Sequence, residues 1–181
     1  MKHKICIIGL GYVGLPLAIE FSKYYKVVGY DKNNKRVKEL IKGLDHNNEI
    51  KISKTNSEKI LFTNQEKDLL DCNIFIITLP TPVKKNNIPD LGDVINGTKL
   101  VSKYISKNNF IIYESTFYPG LIKEKLVPII EKISQKKINK EFYCGYSPER
   151  INPGDKKRGL SNIKKIVSGS NKYSLNIISE I

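Results

Sequence analysis

The sequence contains little cysteine and little histidine, and each shortage excludes a kind of site. Its three cysteines, Cys6, Cys72 and Cys144, are odd in number and far apart, which excludes a simple disulfide framework and a cysteine-spaced metal site. All three lie in or beside apolar segments and are expected to be buried and unreactive. The two histidines, His3 and His46, have no neighbours that would complete a metal site or a catalytic triad. We therefore predict no metal.

Long apolar runs are also missing. No segment is long enough to span a bilayer, so we expect no contact with a membrane. The apolar residues after the basic start are interrupted by three glycines, a proline and Glu20, unlike those of a secretory signal. These absences predict a cytoplasmic protein.

Acidic residues are outnumbered, with 18 Asp and Glu against 31 Lys and Arg and a net charge of +13. Such a balance can indicate nucleic-acid binding, but the lysines are scattered and form neither a basic stripe nor an RNA-binding signature. We therefore predict no nucleic-acid partner and attribute the charge to compositional bias. A positive field would also favour anionic dinucleotides and nucleotide sugars.

The most informative pattern lies in the first 31 of the 181 residues. Lys4–Ile8 is a short apolar run, typical of a strand buried on both faces. It leads directly into Gly9-Leu10-Gly11-Tyr12-Val13-Gly14, which matches G-x-G-x-x-G. Apolar residues then recur at helical spacing, and a second strand, Lys26–Tyr30, ends at Asp31.

Each part of this layout has a physical role in a dinucleotide-binding βαβ unit. Gly9 allows the tight turn from strand to helix, Gly11 lets the backbone approach a pyrophosphate, and Gly14 lets the helix pack closely on the sheet. The backbone N–H groups of Tyr12 and Val13 would face the phosphates at the positive end of the helix dipole.

Asp31 would accept hydrogen bonds from the adenosine ribose hydroxyls. Glycines also mark ordinary turns, but the strand before, the helix after and the acid at this distance together favour dinucleotide binding. The carboxylate should repel a 2′-phosphate and so favour NAD over NADP, although Lys32, Lys35 and Arg36 would soften that preference.

The rest of the chain alternates between strand and helix patterns. Strands are predicted at 59–62, 73–79, 109–114, 141–146 and 163–168, and helices at 34–43, 65–70, 90–105, 122–133 and 173–181. Asp90 is the predicted N-cap of its helix, and Pro128 should kink or split the helix that contains it. The alternation predicts an α/β fold, a doubly wound parallel sheet of the Rossmann type, as a single domain over 1–181.

Polar residues follow four of these strands, at Asp31, Thr81, Ser115-Thr116 and Glu149-Arg150. The carboxyl ends of parallel strands meet at one edge of a sheet, where ligands bind. Each residue also has an ordinary alternative: a turn for Thr81, a helix cap for Ser115-Thr116, and an exposed ion pair for Glu149-Arg150. Their common position favours a functional cluster.

Four segments together resemble the UDP-glucose/GDP-mannose dehydrogenase family, in particular the branch that oxidises UDP-N-acetylhexosamines. They are KICIIGLGYVGLPLA at 4–18, LPTPV at 79–83, YESTFYPG at 113–120 and GYSPERINPGD at 145–155. The resemblance runs in order along essentially the whole chain. That family oxidises the C6 hydroxyl of a nucleotide sugar to a carboxylate with two NAD⁺, in pathways that include capsule and O-antigen synthesis.

The resemblance implies a role for each matching residue. The loop residues Gly9, Gly11, Val13 and Gly14 would hold the pyrophosphate, with Asp31 and Arg36 beside the adenosine ribose. Thr81 and Thr116 would line the path to the nicotinamide. Thr116 would also help to hold the water that hydrolyses a covalent intermediate, and Glu149 would serve as general acid and base. Glu149, Arg150 and Asn152 would lie against the UDP-sugar substrate.

One departure from the family is large. Family members continue into dimerisation helices and a second nucleotide-binding domain, which carry the nucleophilic cysteine in a glycine-rich setting. No cysteine of this sequence has such a setting, and without a thiolate the second oxidation has no route. We expect an amino-terminal part that binds NAD but is inactive alone. The whole enzyme would be a homo-oligomer, and the state of this part stays open.

Two other readings use the same cofactor pattern. A stand-alone NAD-sensing module would bind the cofactor without chemistry. The cofactor domain of another β-hydroxy-acid dehydrogenase is a closer rival, but such enzymes have no evident need for the SPERINPGD segment at 147–155.

Overall fold

Apolar segments of four or five residues form the main strands of a central sheet. The computed structural model describes residues 3–47, 59–85, 87–149 and 164–181. Its strands are β1 (Lys4–Ile8), β2 (Lys26–Tyr30), β3 (Ile60–Thr63), β4 (Ile74–Ile77), β5 (Asn109–Tyr113), β6 (Phe142–Tyr146) and the two-residue β7 (Ser168–Gly169).

The strands form one sheet in the order β3-β2-β1-β4-β5-β6-β7. The first six are parallel, and β7 pairs antiparallel with β6. The chain runs outward in one direction from β1 to β3 and in the other from β4 to β7. The order therefore reverses between β1 and β4, which is where sheets of this kind bind ligands. The predicted doubly wound α/β fold is confirmed.

Helices cover both faces of the sheet. They are α1 (Gly14–Phe21), α2 (Asn34–Ile41), α3 (Gly92–Ser102), α4 (Val127–Ser134) and α5 (Lys172–Glu180). A 3₁₀ turn, Glu66–Leu69, precedes β4, and a π-helical turn, Ile122–Leu126, leads into α4. Pro128 lies in the first turn of α4, where its missing N–H costs no helical hydrogen bond. Leu126 and Val127 both have right-handed helical dihedral angles, so the π-helical turn runs into α4 without a break. The predicted split is therefore not seen, and the kink given as its alternative stays a prediction.

The alternation of side chains along each strand divides the core into two clusters. Ile5 and Ile7 of β1 point to one face, where they join buried residues of α1 and α2. Cys6 and Ile8 point to the other face and join buried residues of α3 and α4. Because both faces are covered, β1 is fully apolar after Lys4.

Three local predictions need correction. The last strand, predicted at 163–168, is wrong in length and direction: Ile163 lies outside the described residues, and only Ser168–Gly169 pairs, antiparallel to β6. Asp90 does cap, because its Oδ1 accepts the Gly92 N–H at 2.9 Å, but α3 begins at Gly92 with Leu91 as its N-cap. The helix predicted at 65–70 is a 3₁₀ turn.

The apolar face predicted for the second helix is also too wide. Val37 and Leu40 are buried, whereas Ile41 and Leu44 are 60% and 53% exposed. The helix ends at Ile41, at the side of the sheet where β3 is the last strand, so there is no further core for these two residues to enter. Among the described residues, no helix is both long enough and apolar enough to cross a bilayer.

The burial of the cysteines yields a prediction for their reactivity. Burial raises the pKa of Cys144 to about 12, so only about one part in ten thousand is thiolate at pH 8. Burial also raises the pKa of Cys6, whereas a hydrogen bond with Cys6 lowers the pKa of Cys72. A chromogenic disulfide reagent should therefore label the folded protein far more slowly than the urea-unfolded protein, with Cys72 first. Rapid labelling of Cys144 in the folded state would contradict this packing.

Candidate functional site

The carboxyl ends of β2, β1, β4, β5 and β6 open into one cleft of about 980 Å³. Asp31 lies at one end of the cleft and Glu149 at the other. The predicted site residues on its wall are Gly9, Gly11, Tyr12, Val13, Asp31, Thr81, Thr116 and Glu149. Gly14 and Arg36 lie behind this wall, and Arg150 and Asn152 fall outside the described residues. The sheet topology thus brings together loops that are more than 100 residues apart in sequence.

The glycine-rich loop folds back tightly on the end of β1. Gly9 has a φ of +94°, which favours glycine, and its N–H donates to the Tyr30 carbonyl at 2.8 Å. At Gly14, a Cβ would stand 1.9 Å from the Gly9 carbonyl oxygen and 2.4 Å from Thr78 Oγ1. Only glycine therefore lets α1 begin this close to the strand.

Gly11 differs from its two neighbours in the motif. Its φ lies outside the left-handed region, and a Cβ built on it would meet no atom within 4 Å. The protein itself therefore gives no steric reason for glycine at this position, which lies on the cleft wall. A ligand whose phosphate lies against the backbone supplies such a reason, so the loop fits a dinucleotide pyrophosphate.

Thr78 braces the loop from below, a role that the sequence analysis did not assign. Its hydroxyl lies 2.8 Å from the Gly9 carbonyl oxygen and 3.1 Å from that of Ile8, and it can donate to either. The residue follows β4 directly and is buried. The sequence did contain a sign of this role, because Thr78 is a hydroxyl residue near the end of the most apolar run.

Asp31 is fixed by the backbone on both sides of it. Its Oδ2 accepts the Leu10 N–H at 2.9 Å, and its Oδ1 accepts the Asn33 N–H at 2.8 Å. Each carboxylate oxygen can accept more than one hydrogen bond, so acceptor capacity remains for ribose hydroxyls. The carboxylate therefore holds the glycine-rich loop in place and faces the cleft as well.

Arg36 holds the same loop from behind. Its Nε donates to the Leu10 carbonyl at 2.9 Å, and its Nη1 pairs with Asp45 Oδ1 at 2.8 Å. The Arg36 side chain is 11% exposed and that of Asp45 is 2% exposed. These contacts give Arg36 a structural role, and its predicted position beside the ribose stays a prediction.

At the other end of the cleft, hydrogen bonds tie two loops together. Thr81 Oγ1 donates to the Thr116 carbonyl at 3.0 Å, and Ser115 Oγ donates to the Leu79 carbonyl at 2.7 Å. The loop after β4 and the loop after β5 thus form one continuous wall. Thr81 and Thr116, the two threonines predicted to line the path to the nicotinamide, are thus in direct contact through a hydrogen bond.

Glu114 is a further cleft residue that the sequence analysis missed. It follows β5 directly, lines the cleft and is 5% exposed, and its carboxylate forms an ion pair with Lys165. Burial lowers the pKa of Lys165 to about 8, whereas the contact with the carboxylate favours the charged form. An acid directly after an apolar strand was visible in the sequence, but its lysine partner, 51 positions away, was not.

Two exposed ion pairs also line the cleft. Lys32 pairs with Asp93 at 2.7 Å, a contact that raises the pKa of the lysine, and Lys103 pairs with Glu66 at 3.4 Å. These exposed pairs contribute little to stability. Among the described residues, no group of three or more His, Cys, Asp or Glu side chains could hold a metal ion.

The contrast between Gly11 and Gly14 yields a prediction. Gly11→Ala should keep the free energy of unfolding within about 0.5 kcal/mol of the original, because its Cβ enters open space. It should nevertheless weaken NADH binding about tenfold or more, because the methyl group keeps the pyrophosphate off the backbone. Urea unfolding and NADH fluorescence titration measure the two quantities.

Gly14→Ala is the matched control. Its Cβ would overlap the Gly9 carbonyl, so we expect a loss of about 3 kcal/mol or more of stability. Unchanged NADH affinity in a well-folded Gly11→Ala protein would contradict the placement of the phosphates.

Comparison with known proteins agrees with this geometry. Residues 3–181 match the NAD-binding domain of the UDP-glucose/GDP-mannose dehydrogenase family. The UDP-N-acetyl-D-glucosamine 6-dehydrogenases of Salmonella typhi and Pseudomonas aeruginosa are 48% and 46% identical over 98% and 92% of this chain. The matched regions make up 42% and 40% of those two proteins.

A solved structure shows the same fold at high similarity. The UDP-D-ManNAc dehydrogenase of Pyrococcus horikoshii superimposes with a TM-score of 0.89 at 30% identity, covering 98% of this chain and 43% of that one. This chain thus spans about two fifths of the length of the relatives it matches. It belongs to the UDP-glucose/GDP-mannose dehydrogenase family, through the NAD-binding domain of that family.

Proposed function

We propose that this chain is the NAD-binding part of a UDP-N-acetylhexosamine 6-dehydrogenase that serves surface polysaccharide synthesis. The observation that carries the proposal is the single cleft, which has the glycine-rich loop and Asp31 at one end and Thr81, Thr116 and Glu149 at the other. The relatives at 46% to 48% identity, which are UDP-N-acetyl-D-glucosamine 6-dehydrogenases, support this substrate class.

In this proposal the chain binds and orients the cofactor along the cleft. The loop from Gly9 to Gly14 holds the pyrophosphate with backbone N–H groups at the positive end of the α1 dipole. The free acceptor capacity of Asp31 binds the adenosine ribose. The nicotinamide then lies toward the wall that Thr81 and Thr116 form. When bound, NAD⁺ supplies the chemistry by accepting a hydride from the substrate.

Two side chains at the far end have roles in moving protons and water. Glu149 lies three residues beyond β6 on the cleft wall, where a carboxylate can take a proton from a hydroxyl or return one to water. The Thr116 hydroxyl would help to hold the hydrolytic water. Arg150 and Asn152, which follow Glu149 in sequence, would contact the sugar nucleotide.

The cysteine chemistry of the reaction must come from elsewhere in the enzyme. None of the described residues on the cleft wall is a cysteine, and Cys6, Cys72 and Cys144 are all buried in the core or at its edge. The pKa of about 12 at Cys144 also opposes a nucleophilic role. We therefore propose that dimerisation helices and a UDP-binding domain complete the enzyme, and that this part alone binds NAD without turnover.

Titration of the protein with NADH and NADPH tests the cofactor half of the proposal. NADPH should bind at least about tenfold more weakly, because its 2′-phosphate would lie against the Asp31 carboxylate. Asp31→Asn should reduce that difference, since it removes the charge but keeps a side chain that can accept a hydrogen bond from the Leu10 N–H. Asp71→Asn is the matched control, because this exposed acid pairs with Lys4 at the start of β1, away from the cleft, and it should leave the difference unchanged.

Incubation with NAD⁺ and UDP-N-acetylglucosamine tests the other half of the proposal, that this chain binds NAD without turnover. The chain alone should produce no NADH above the background. Steady turnover by the chain alone would overturn the proposal that the thiol is supplied by another part of the enzyme. Equal affinity for NADH and NADPH, unaffected by Asp31→Asn, would overturn the assignment of the adenosine end.

A further inference from the structure

The Glu114–Lys165 ion pair is far less exposed than the two other ion pairs of the cleft, Lys32–Asp93 and Lys103–Glu66. Glu114 lines the cleft and is 5% exposed, whereas Lys165 is 25% exposed in its side chain and lies behind it, off the cleft wall. The two residues come from different segments of the chain, since Glu114 follows β5 and Lys165 precedes β7. They meet at one edge of the sheet because only one strand, β6, lies between β5 and β7, and β7 runs in the opposite direction. A buried pair of this kind is costly to desolvate, so a function is a reasonable explanation for it.

The position of the pair along the cleft identifies which part of the cofactor it meets. Three strand spacings of about 4.8 Å separate the end of β2 from the end of β5, or about 14 Å. A dinucleotide with its ribose on Asp31 and its pyrophosphate on the loop after β1 extends toward β4 and β5. This step rests on the proposed function, and it brings Glu114 to the nicotinamide end.

The charge on the nicotinamide changes during the reaction, whereas the rest of the cofactor keeps its charge. The ring is cationic in NAD⁺ and neutral in NADH. A lone carboxylate beside the ring would therefore favour NAD⁺, and a lone ammonium would favour NADH. A carboxylate that is paired with an ammonium has little net effect on the affinity for either form.

We propose that Lys165 neutralises Glu114 so that the cleft holds the oxidised and the reduced cofactor with similar affinity. Lys165 acts through Glu114 and is a positioning residue, not a catalytic one. An enzyme that twice in one cycle binds NAD⁺, transfers a hydride to it from the substrate and releases NADH benefits from this balance, because neither form then remains trapped in the cleft.

The test compares the dissociation constants of NAD⁺ and NADH in single and double variants near neutral pH. Lys165→Met leaves the Glu114 carboxylate unpaired and should shift the ratio of the two constants about five- to tenfold toward NAD⁺. Glu114→Gln leaves the Lys165 ammonium and should shift the ratio toward NADH. The double variant should return close to the original ratio.

Shifts of the ratio in opposite directions in the two single variants distinguish this role from a purely structural one. Loss of a structural contact would weaken the binding of NAD⁺ and NADH by the same factor. Lys103→Met is the matched control, because it removes a lysine from the same cleft at the adenosine end and should change both constants by the same factor. Lys165→Arg keeps both charges and should keep the ratio. If Lys165→Met does not fold, the sign of the Glu114→Gln shift decides. Unchanged ratios, or shifts in the same direction, overturn the proposal.

ADP-ribose, which lacks the nicotinamide, separates this proposal from the proposed function. It should bind the original protein and both single variants equally. If neither ADP-ribose nor NADH binds the original protein, the proposed function fails. If both bind but the ratios do not move as described, only the role of the Glu114–Lys165 pair fails.

Discussion

The close approach of α1 to the end of β1 is the constraint on which the rest of the site depends. Gly14 lies so near the Gly9 carbonyl and the Thr78 hydroxyl that any side chain there would overlap them. This contact fixes where the helix begins and therefore where its N-terminal N–H groups point. Thr78 extends the constraint to β4, so the loop is held by both strands at the point where the strand order reverses.

Residues that would bind the cofactor also hold the protein together. Asp31 closes the glycine-rich loop through the Leu10 N–H, and Arg36 closes it through the Leu10 carbonyl. Leu10 itself is buried, so its two backbone groups need partners within the protein. A change at either charged residue therefore alters the shape of the loop as well as its charge. For this reason a charge-removing, shape-preserving substitution is more informative than truncation to alanine.

Features that depend on local sequence patterns could be predicted from the sequence. Features that depend on contacts between distant residues could not. The G-x-G-x-x-G loop and the strand ends follow from glycines and from apolar runs, and they were predicted. The brace from Thr78 and the partner of Glu114 depend on which strands become neighbours, which no local pattern states. The strand predicted at 163–168 was wrong because its short apolar run is not a buried one: Ile166 is 54% exposed, and only Ser168–Gly169 pair with β6.

The net charge of +13 gives little guidance to how the cleft would hold an anion. Three lysines at or behind the cleft are paired with acids, namely Lys32 with Asp93, Lys103 with Glu66 and Lys165 with Glu114, whereas Lys99 on the cleft wall forms no ion pair with a described residue. Each pair is close to neutral as a whole, so its field falls off quickly with distance. In the proposed function the attraction for a pyrophosphate therefore comes mainly from backbone dipoles at the start of α1, which act over one helical turn. Such a site could tolerate the Asp31 carboxylate close by, because in the proposed function the phosphates lie on the loop and the ribose separates them from the acid.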